Sequence, residues 1–178
     1  MITVLIVAAG QGTRMNSDVN KTLIELDNNP IIYHTIKSFQ DCDEINQIII
    51  ITRKQDIEQI TNLNKKHNFS KIIKIVQGGN RRQDSVYKGF IEIPNPLEKD
   101  TILIHNGCNP FIEQKEITDC INNTKQFGAS VCAFQVKDTI KKVNNLEVEQ
   151  TIDRSNLWQM QTPQGISYKL LKQAFENA

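Results

Sequence analysis

Ile2-Thr3-Val4-Leu5-Ile6-Val7, running directly into Ala8-Ala9-Gly10-Gln11-Gly12-Thr13-Arg14-Met15, decides the architecture of this 178-residue chain. The first six residues are an almost unbroken apolar run enriched in β-branched side chains, as a strand covered on both faces requires. Similar runs recur at residues 47–52, 71–76, 101–105 and 129–136. The intervening segments carry helical spacing: Ile57, Ile60 and Leu63, then Val86, Phe90 and Ile93, then Ile117 and Ile121. Strand and helix in alternation predict an α/β fold, a Rossmann-like three-layer α/β/α arrangement around a mainly parallel mixed sheet. Ligands of such sheets bind beyond the carboxyl ends of the strands, so the chemistry is expected in the loops that follow them.

One segment breaks the alternation. Residues 139–143 and 148–152 are short strand-like pieces separated by Asn144-Asn145-Leu146-Glu147, which reads as a hairpin. A lone two-stranded hairpin is marginally stable in water, so residues 138–154 are expected to form a protruding β-arm that lies on another surface. The length suits one domain over residues 1–178, with no internal repeat.

Composition narrows the function. The net charge of +1 provides no general field toward nucleic acid or an anionic membrane, so phosphate recognition has to be local. The first apolar run is too short to span a membrane and lacks a basic leader, which makes a cytoplasmic protein the expectation. Cys42, Cys108, Cys120 and Cys132 form no CxxC pair, which argues against a zinc site or a redox dithiol and for reduced, mostly buried thiols.

The loop after the first run is a phosphate cradle by construction. Gly10 and Gly12 let the backbone approach an anion, while Arg14 and, slightly farther on, Lys21 supply charge-assisted bonds. The dinucleotide fingerprint fails because Met15 stands at the third glycine position, and no Lys-Ser/Thr pair completes a P-loop. A second loop, Gly78-Gly79-Asn80-Arg81-Arg82-Gln83-Asp84-Ser85-Val86, follows the third strand and opens a helix, whose free N–H groups and positive end favour an anion. Ser85 can donate a hydrogen bond there. No GxSxG elbow is present, and His34, His67 and His105 form no nucleophile constellation.

These residues resemble the 2-C-methyl-D-erythritol 4-phosphate cytidylyltransferases, with the ribitol-5-phosphate cytidylyltransferases as relatives. Four matches carry the resemblance across nearly the whole chain: residues 8–15 with Lys21; Gly78-Gly79 through Arg82 to Ser85-Val86; Asp138-Thr139-Ile140-Lys141; and Thr151-Ile152-Asp153-Arg154 through Leu157-Trp158 to Gln161-Thr162-Pro163-Gln164. The resemblance implies transfer of CMP from CTP to a polyol phosphate with release of pyrophosphate. It implies that Ala8, Ala9, Gly10, Gly12, Gly79, Asn80, Ser85 and Gly107 hold CTP, and that Arg14 and Lys21, with Arg154, are catalytic. Asn106, Thr139 and Arg154 are then expected at the acceptor, Arg154 reaching across a two-fold axis from the arm of a second subunit, so that a homodimer is the working form.

At residues 105–110 the family typically reads His-Asp-Ala-Ala-Arg-Pro, and this chain reads His105-Asn106-Gly107-Cys108-Asn109-Pro110. A carboxylate and an arginine are both replaced by amides. Mg²⁺ is the expected cofactor and Asn106 its expected protein ligand, although a neutral amide oxygen serves a hard cation less well than a carboxylate. A family member also continues beyond the equivalent of Ala178 into a segment with a lysine-bearing strand beside the acceptor. Beside an active cytidylyltransferase stands the alternative of a catalytically weakened CTP-binding homologue.

Overall fold

The computed structural model describes residues 1–10 and 20–178. Its elements run β1 (Ile2–Ala8), the short ribbon β2 (Glu25–Leu26) and β3 (Asn29–Pro30), α1 (Ile31–Gln40), β4 (Gln47–Thr52), α2 (Ile57–His67), β5 (Ile72–Gln77), α3 (Arg82–Phe90) and β6 (Thr101–Asn106). Then come α4 (Gln114–Phe127), β7 (Ala129–Gln135), the hairpin β8 (Ile140–Asn144) and β9 (Glu147–Ile152), β10 (Trp158–Ser167) and α5 (Tyr168–Glu176). Six strands form one sheet in the order β5-β4-β1-β6-β10-β7, and β8 and β9 pair only with each other.

The sheet is covered on both sides because its central strands carry apolar side chains on both faces, polar residues falling mainly at the strand ends. Val4, Ile6, Ile48, Ile50 and Leu103 pack with α1, α2 and α4 through Ile32, Ile36, Ile60, Ile117 and Ile121. Their neighbours Leu5, Ile49, Ile51 and Ile102 pack on the opposite face with Val86 and Phe90 of α3 and Leu171 of α5. Each such side chain contributes roughly 1.5–3 kcal/mol by burial, which is why the three layers hold together. A strand reading Ile48-Ile49-Ile50-Ile51 would tolerate a register slip, since isoleucine would replace isoleucine. Polar pins at its start prevent that. The buried Gln47 amide donates to Thr3 Oγ1 at 2.8 Å, and Asn46 Oδ1 accepts the Ile2 N–H at 2.6 Å.

Helix ends follow local chemistry. Pro30, with fixed φ, precedes α1; α4 ends at Gly128 with φ +84, a left-handed conformation that costs glycine little. Ser167 caps α5 by accepting from Leu170 N.

Two features depart from what the sequence pattern predicts. β10 runs antiparallel between β6 and β7, so that β7 is not the neighbour of β6. Its sequence, Trp158 to Ser167, is polar, interrupted by Pro163 and Gly165, and shifts register between Met160 and Gln164, so it carries no strand-like alternation. The fold also places Cys120 of α4 against β7, its Sγ 3.3 Å from Ser130 Oγ, in the same apolar cluster that Cys132 packs on. All four thiols are free.

Candidate active site

Parallel pairing aligns the carboxyl ends of four strands. Ala8 lies opposite Thr52, Thr52 opposite Gln77, and Val7 opposite Asn106, so the loops after β1, β5 and β6 emerge along one edge. β10, running the other way, brings Thr162 to the same edge, where its Oγ1 accepts from Asn106 N at 3.4 Å and from Asn109 Nδ2 at 3.1 Å. Between these elements opens a cleft of about 720 Å³.

Most of the residues expected at the nucleotide line it. Ala8, Ala9, Gly10 and Lys21 come from the first loop, and Gly79, Asn80 and Ser85 from the second. Gly12 and Arg14 lie outside the described residues. Gly107 sits beneath the cleft: its N–H donates to Val7 O at 2.9 Å, and a Cβ placed on it would stand 3.0 Å from Ala8 Cβ. The two glycine loops touch, since a Cβ on Gly78 would come within 2.3 Å of Ala9 Cβ. Glycine is needed there for close packing of the loops, as well as for exposing N–H groups.

Ser85 differs from expectation in the use of its hydroxyl. Its Oγ accepts the Gly79 N–H at 3.0 Å and lies 3.2 Å from Arg81 O, so it closes its own loop. Arg81 N donates to Asp84 Oδ2, and the Arg81 guanidinium pairs with the same carboxylate, which leaves the first turn of α3 ordered at the cleft wall.

Lys21 is placed by its neighbour. The buried Asn20 amide donates to Ala8 O at 3.0 Å and to Asp56 Oδ2 at 2.7 Å, while its own Oδ1 accepts the Thr22 N–H. Asp56, itself buried, also accepts from Arg53 Nε at 2.6 Å. The network fastens residue 20 to the end of β1 and to the start of α2, and so delivers Lys21 to the cleft. Nothing in motif spacing singles out Asn20 or Asp56; an Asn capping the short turn at Lys21–Leu23 is the sequence signal that was available.

At the far side stands Asn106. Its Oδ1 accepts a hydrogen bond from Arg82 Nη1. No carboxylate lines the cleft among the described residues, and no group of three metal-ligating side chains occurs among them. Asn106 therefore does not suit the role of a protein ligand to Mg²⁺: its one good acceptor is engaged by a cation, which would repel a second one.

His105 is fully buried behind this edge, its ring edge-on to Phe39. Nε2 donates to Asn109 O at 3.0 Å and Nδ1 has no partner, and burial draws its pKa down to about 4. It shapes the loop and carries no charge near neutral pH.

Thr139 and Arg154 stand elsewhere. Both are exposed and neither lines the cleft of its own chain; the Arg154 guanidinium donates to the Lys137 carbonyl at the root of the arm.

An open sheet with a polar cleft at its carboxyl edge, walled by two glycine loops and carrying lysine and arginine, places the chain among the Rossmann-like α/β proteins that bind phosphorylated ligands. Comparison with known proteins narrows that class. Residues 2–178 match the family described as 2-C-methyl-D-erythritol 4-phosphate cytidylyltransferase. A relative of that name from Clostridium novyi (strain NT) is 41% identical over 176 residues, 98% of this chain and 75% of the relative. One from Alkaliphilus metalliredigens (strain QYMF) is 41% identical over 99% of this chain and 73% of its own length. Among solved structures, 4-diphosphocytidyl-2C-methyl-D-erythritol synthase from Anaerococcus prevotii DSM 20548 superposes with a TM-score of 0.83 at 28% identity, covering 99% of this chain and 74% of that one. The 2-C-methyl-D-erythritol 4-phosphate cytidylyltransferase of Francisella tularensis gives 0.81 at 28% identity over 99% and 76%. The chain belongs to the 2-C-methyl-D-erythritol 4-phosphate cytidylyltransferase family. These names agree with the methylerythritol reading of the sequence rather than with its ribitol alternative.

Proposed function

We propose that this protein is a cytoplasmic cytidylyltransferase that transfers CMP from CTP to 2-C-methyl-D-erythritol 4-phosphate and releases pyrophosphate. The observation that carries the proposal is the convergence of both glycine loops and Lys21 on one cleft with no carboxylate among its described lining residues. The absence of a carboxylate among the described lining residues matters because a triphosphate brings its own high negative charge. Among the described residues no helix is long and apolar enough to cross a membrane.

The reaction forms a bond between an acceptor phosphate oxygen and the α-phosphorus and breaks the bridging bond to the β-phosphate, whose electron pair leaves with pyrophosphate. Charge builds on the equatorial oxygens and on the leaving group, and preorganised cations offset it. Lys21, held by the Asn20–Asp56 network, is one such cation, and Arg14 is assigned as the second. Backbone N–H groups around Ala9 and Gly10, with Gly79 and Asn80 at the wall formed by the second loop, hold the nucleotide. Mg²⁺ is expected to arrive with the triphosphate, and no step on the protein is assigned to it.

Residues 1–178 act as one domain, with 138–154 as an arm that crosses to a second copy. Two observations support the crossing: β8 and β9 pair with no other strand, and Leu146 at the arm's tip is 97% exposed, with Val143 and Val148 also exposed. The arm would bring Thr139 and Arg154 to the acceptor end of the partner's cleft, beside Asn106.

The test is pyrophosphate release with CTP and 2-C-methyl-D-erythritol 4-phosphate. Turnover dependent on both substrates is expected; CTP binding without turnover would assign the chain to the non-catalytic alternative.

A further inference from the structure

The cleft holds three cations among its described lining residues, and they are not equivalent. Lys21 stands with the first glycine loop. Arg81 is committed to Asp84 in an ion pair and in the cap of α3. Arg82, one residue on, points the other way: its Nη1 donates to Asn106 Oδ1 at the carboxyl end of β6, next to Asn109 and Thr162. Among the described residues no carboxylate pairs with it.

The identity of its partner decides what this guanidinium can do. A carboxylate at residue 106 would form an ion pair with Arg82 and spend most of its charge on that pair. The amide oxygen of Asn106 accepts one N–H and neutralises nothing, so the guanidinium is oriented but keeps its full charge and four further donors. Such a side chain, fixed at one atom and open to a cleft, is suited to bidentate recognition of a phosphate. The neighbouring residue 109 is an asparagine and supplies no charge. Among the described residues that line the chain's own cleft, Arg82 is the cation on this side, where the proposed arm of a second copy would add Arg154.

We infer that Arg82 binds the phosphate of the acceptor, held for that purpose by Asn106. The inference rests on the cytidylyltransferase reading, in which the acceptor enters from the β6 and β10 side.

Steady-state kinetics of four proteins test it: wild type, Arg82→Gln, the double variant Asn106→Asp with Asn109→Arg, and the triple variant. Arg82→Gln is expected to raise KM for 2-C-methyl-D-erythritol 4-phosphate by about ten-fold or more, the usual consequence of losing a charge-assisted pair, with KM for CTP changed by less than about two-fold. In the background of the double variant, where a carboxylate at position 106 engages Arg82 and position 109 supplies a second guanidinium, the same substitution should have a much smaller effect on acceptor KM. A rise confined to the KM for CTP, or equal effects in both backgrounds, would overturn the inference. If wild type does not turn over, the cytidylyltransferase reading fails, and calorimetric titration of the acceptor phosphate into wild type and Arg82→Gln decides the role of Arg82 by itself: equal affinities refute it. Circular dichroism and a thermal melt of each variant separate loss of binding from loss of fold.

Discussion

Asn20 donates to the Ala8 carbonyl at 3.0 Å, so the residue that leaves the first glycine loop is tied to the residue that enters it. The same amide reaches Asp56 at the start of α2. A lysine on a free loop would sample many positions; one residue beyond this anchor, Lys21 is set at the wall of the cleft before any ligand arrives.

Asn20→Ala removes three buried hydrogen bonds, to Ala8 O, Asp56 Oδ2 and Thr22 N, and leaves Asp56 with Arg53 as its remaining described partner. Stability should fall by about 1–3 kcal/mol, read from urea denaturation at constant slope. Turnover should fall as well, because Lys21 loses its support. Asn20→Asp, which puts a second carboxylate beside Asp56, should be worse than the alanine variant at neutral pH.

Lys21→Ala should lower turnover by about 100-fold or more, the scale of one lost preorganised donor, while CTP affinity changes far less. Arg14→Ala should behave alike if the two cations share the transition-state charge. Single-turnover pyrophosphate release with calorimetric CTP binding separates the two effects; unchanged turnover in both variants would remove the mechanism.

Gly78→Ala places a methyl group 2.3 Å from Ala9 Cβ, where neither backbone can yield without opening the contact between the loops. Overpacking of this kind costs about 1–3 kcal/mol. The expected signature is a lowered melting temperature together with weakened CTP binding, whereas Gly10→Ala, whose Cβ would meet none of the described residues within 4 Å, should leave the melting temperature nearly unchanged.

His105 makes stability depend on pH. Its pKa is about 4 in the folded protein because burial disfavours the imidazolium, and near 6.5 in the unfolded chain. Between those values the unfolded chain binds the proton and the folded protein does not, so acid favours unfolding through this window. Going from pH 7.5 to 5, His105 should account for about 2 kcal/mol of lost stability. Denaturation of wild type and His105→Gln across that range should show the shallower slope in the variant; parallel slopes would contradict the assignment.

If the arm crosses to a second subunit, Lys21→Ala and Arg154→Ala should each be nearly inactive alone and should complement when co-expressed. A mixed dimer contains one cleft with both residues intact. Failure of complementation in a sample that sedimentation shows to be dimeric would place Arg154 in the service of its own chain.

The parallel strands were legible because apolar runs such as Ile2–Val7 and Ile48–Ile51 need cover on two faces, and only a layered sheet offers it. Both glycine loops were legible because glycine and cations after a strand have few other uses. β10 was not, since Gln159, Gln161, Pro163 and Gly165 give no alternation and the strand exists through pairing with β6 and β7. Asn20 and Asp56 were invisible for a related reason: they lie 36 residues apart in the chain, and only folding makes them partners.

Sequence by itself determined the layered α/β architecture, the edge of the sheet where the glycine loops line a cleft, and the family. Each depends on local pattern, namely apolar runs, glycine spacing and motif order, which a chain carries whether folded or not. Tertiary structure alone decided that Ser85 closes its own loop, that Asn20 is tied to Ala8 and Asp56 beside Lys21, and that Asn106 accepts a hydrogen bond from Arg82. Those are facts of distance between residues remote in sequence, and electrostatic and hydrogen-bond energies depend on distance.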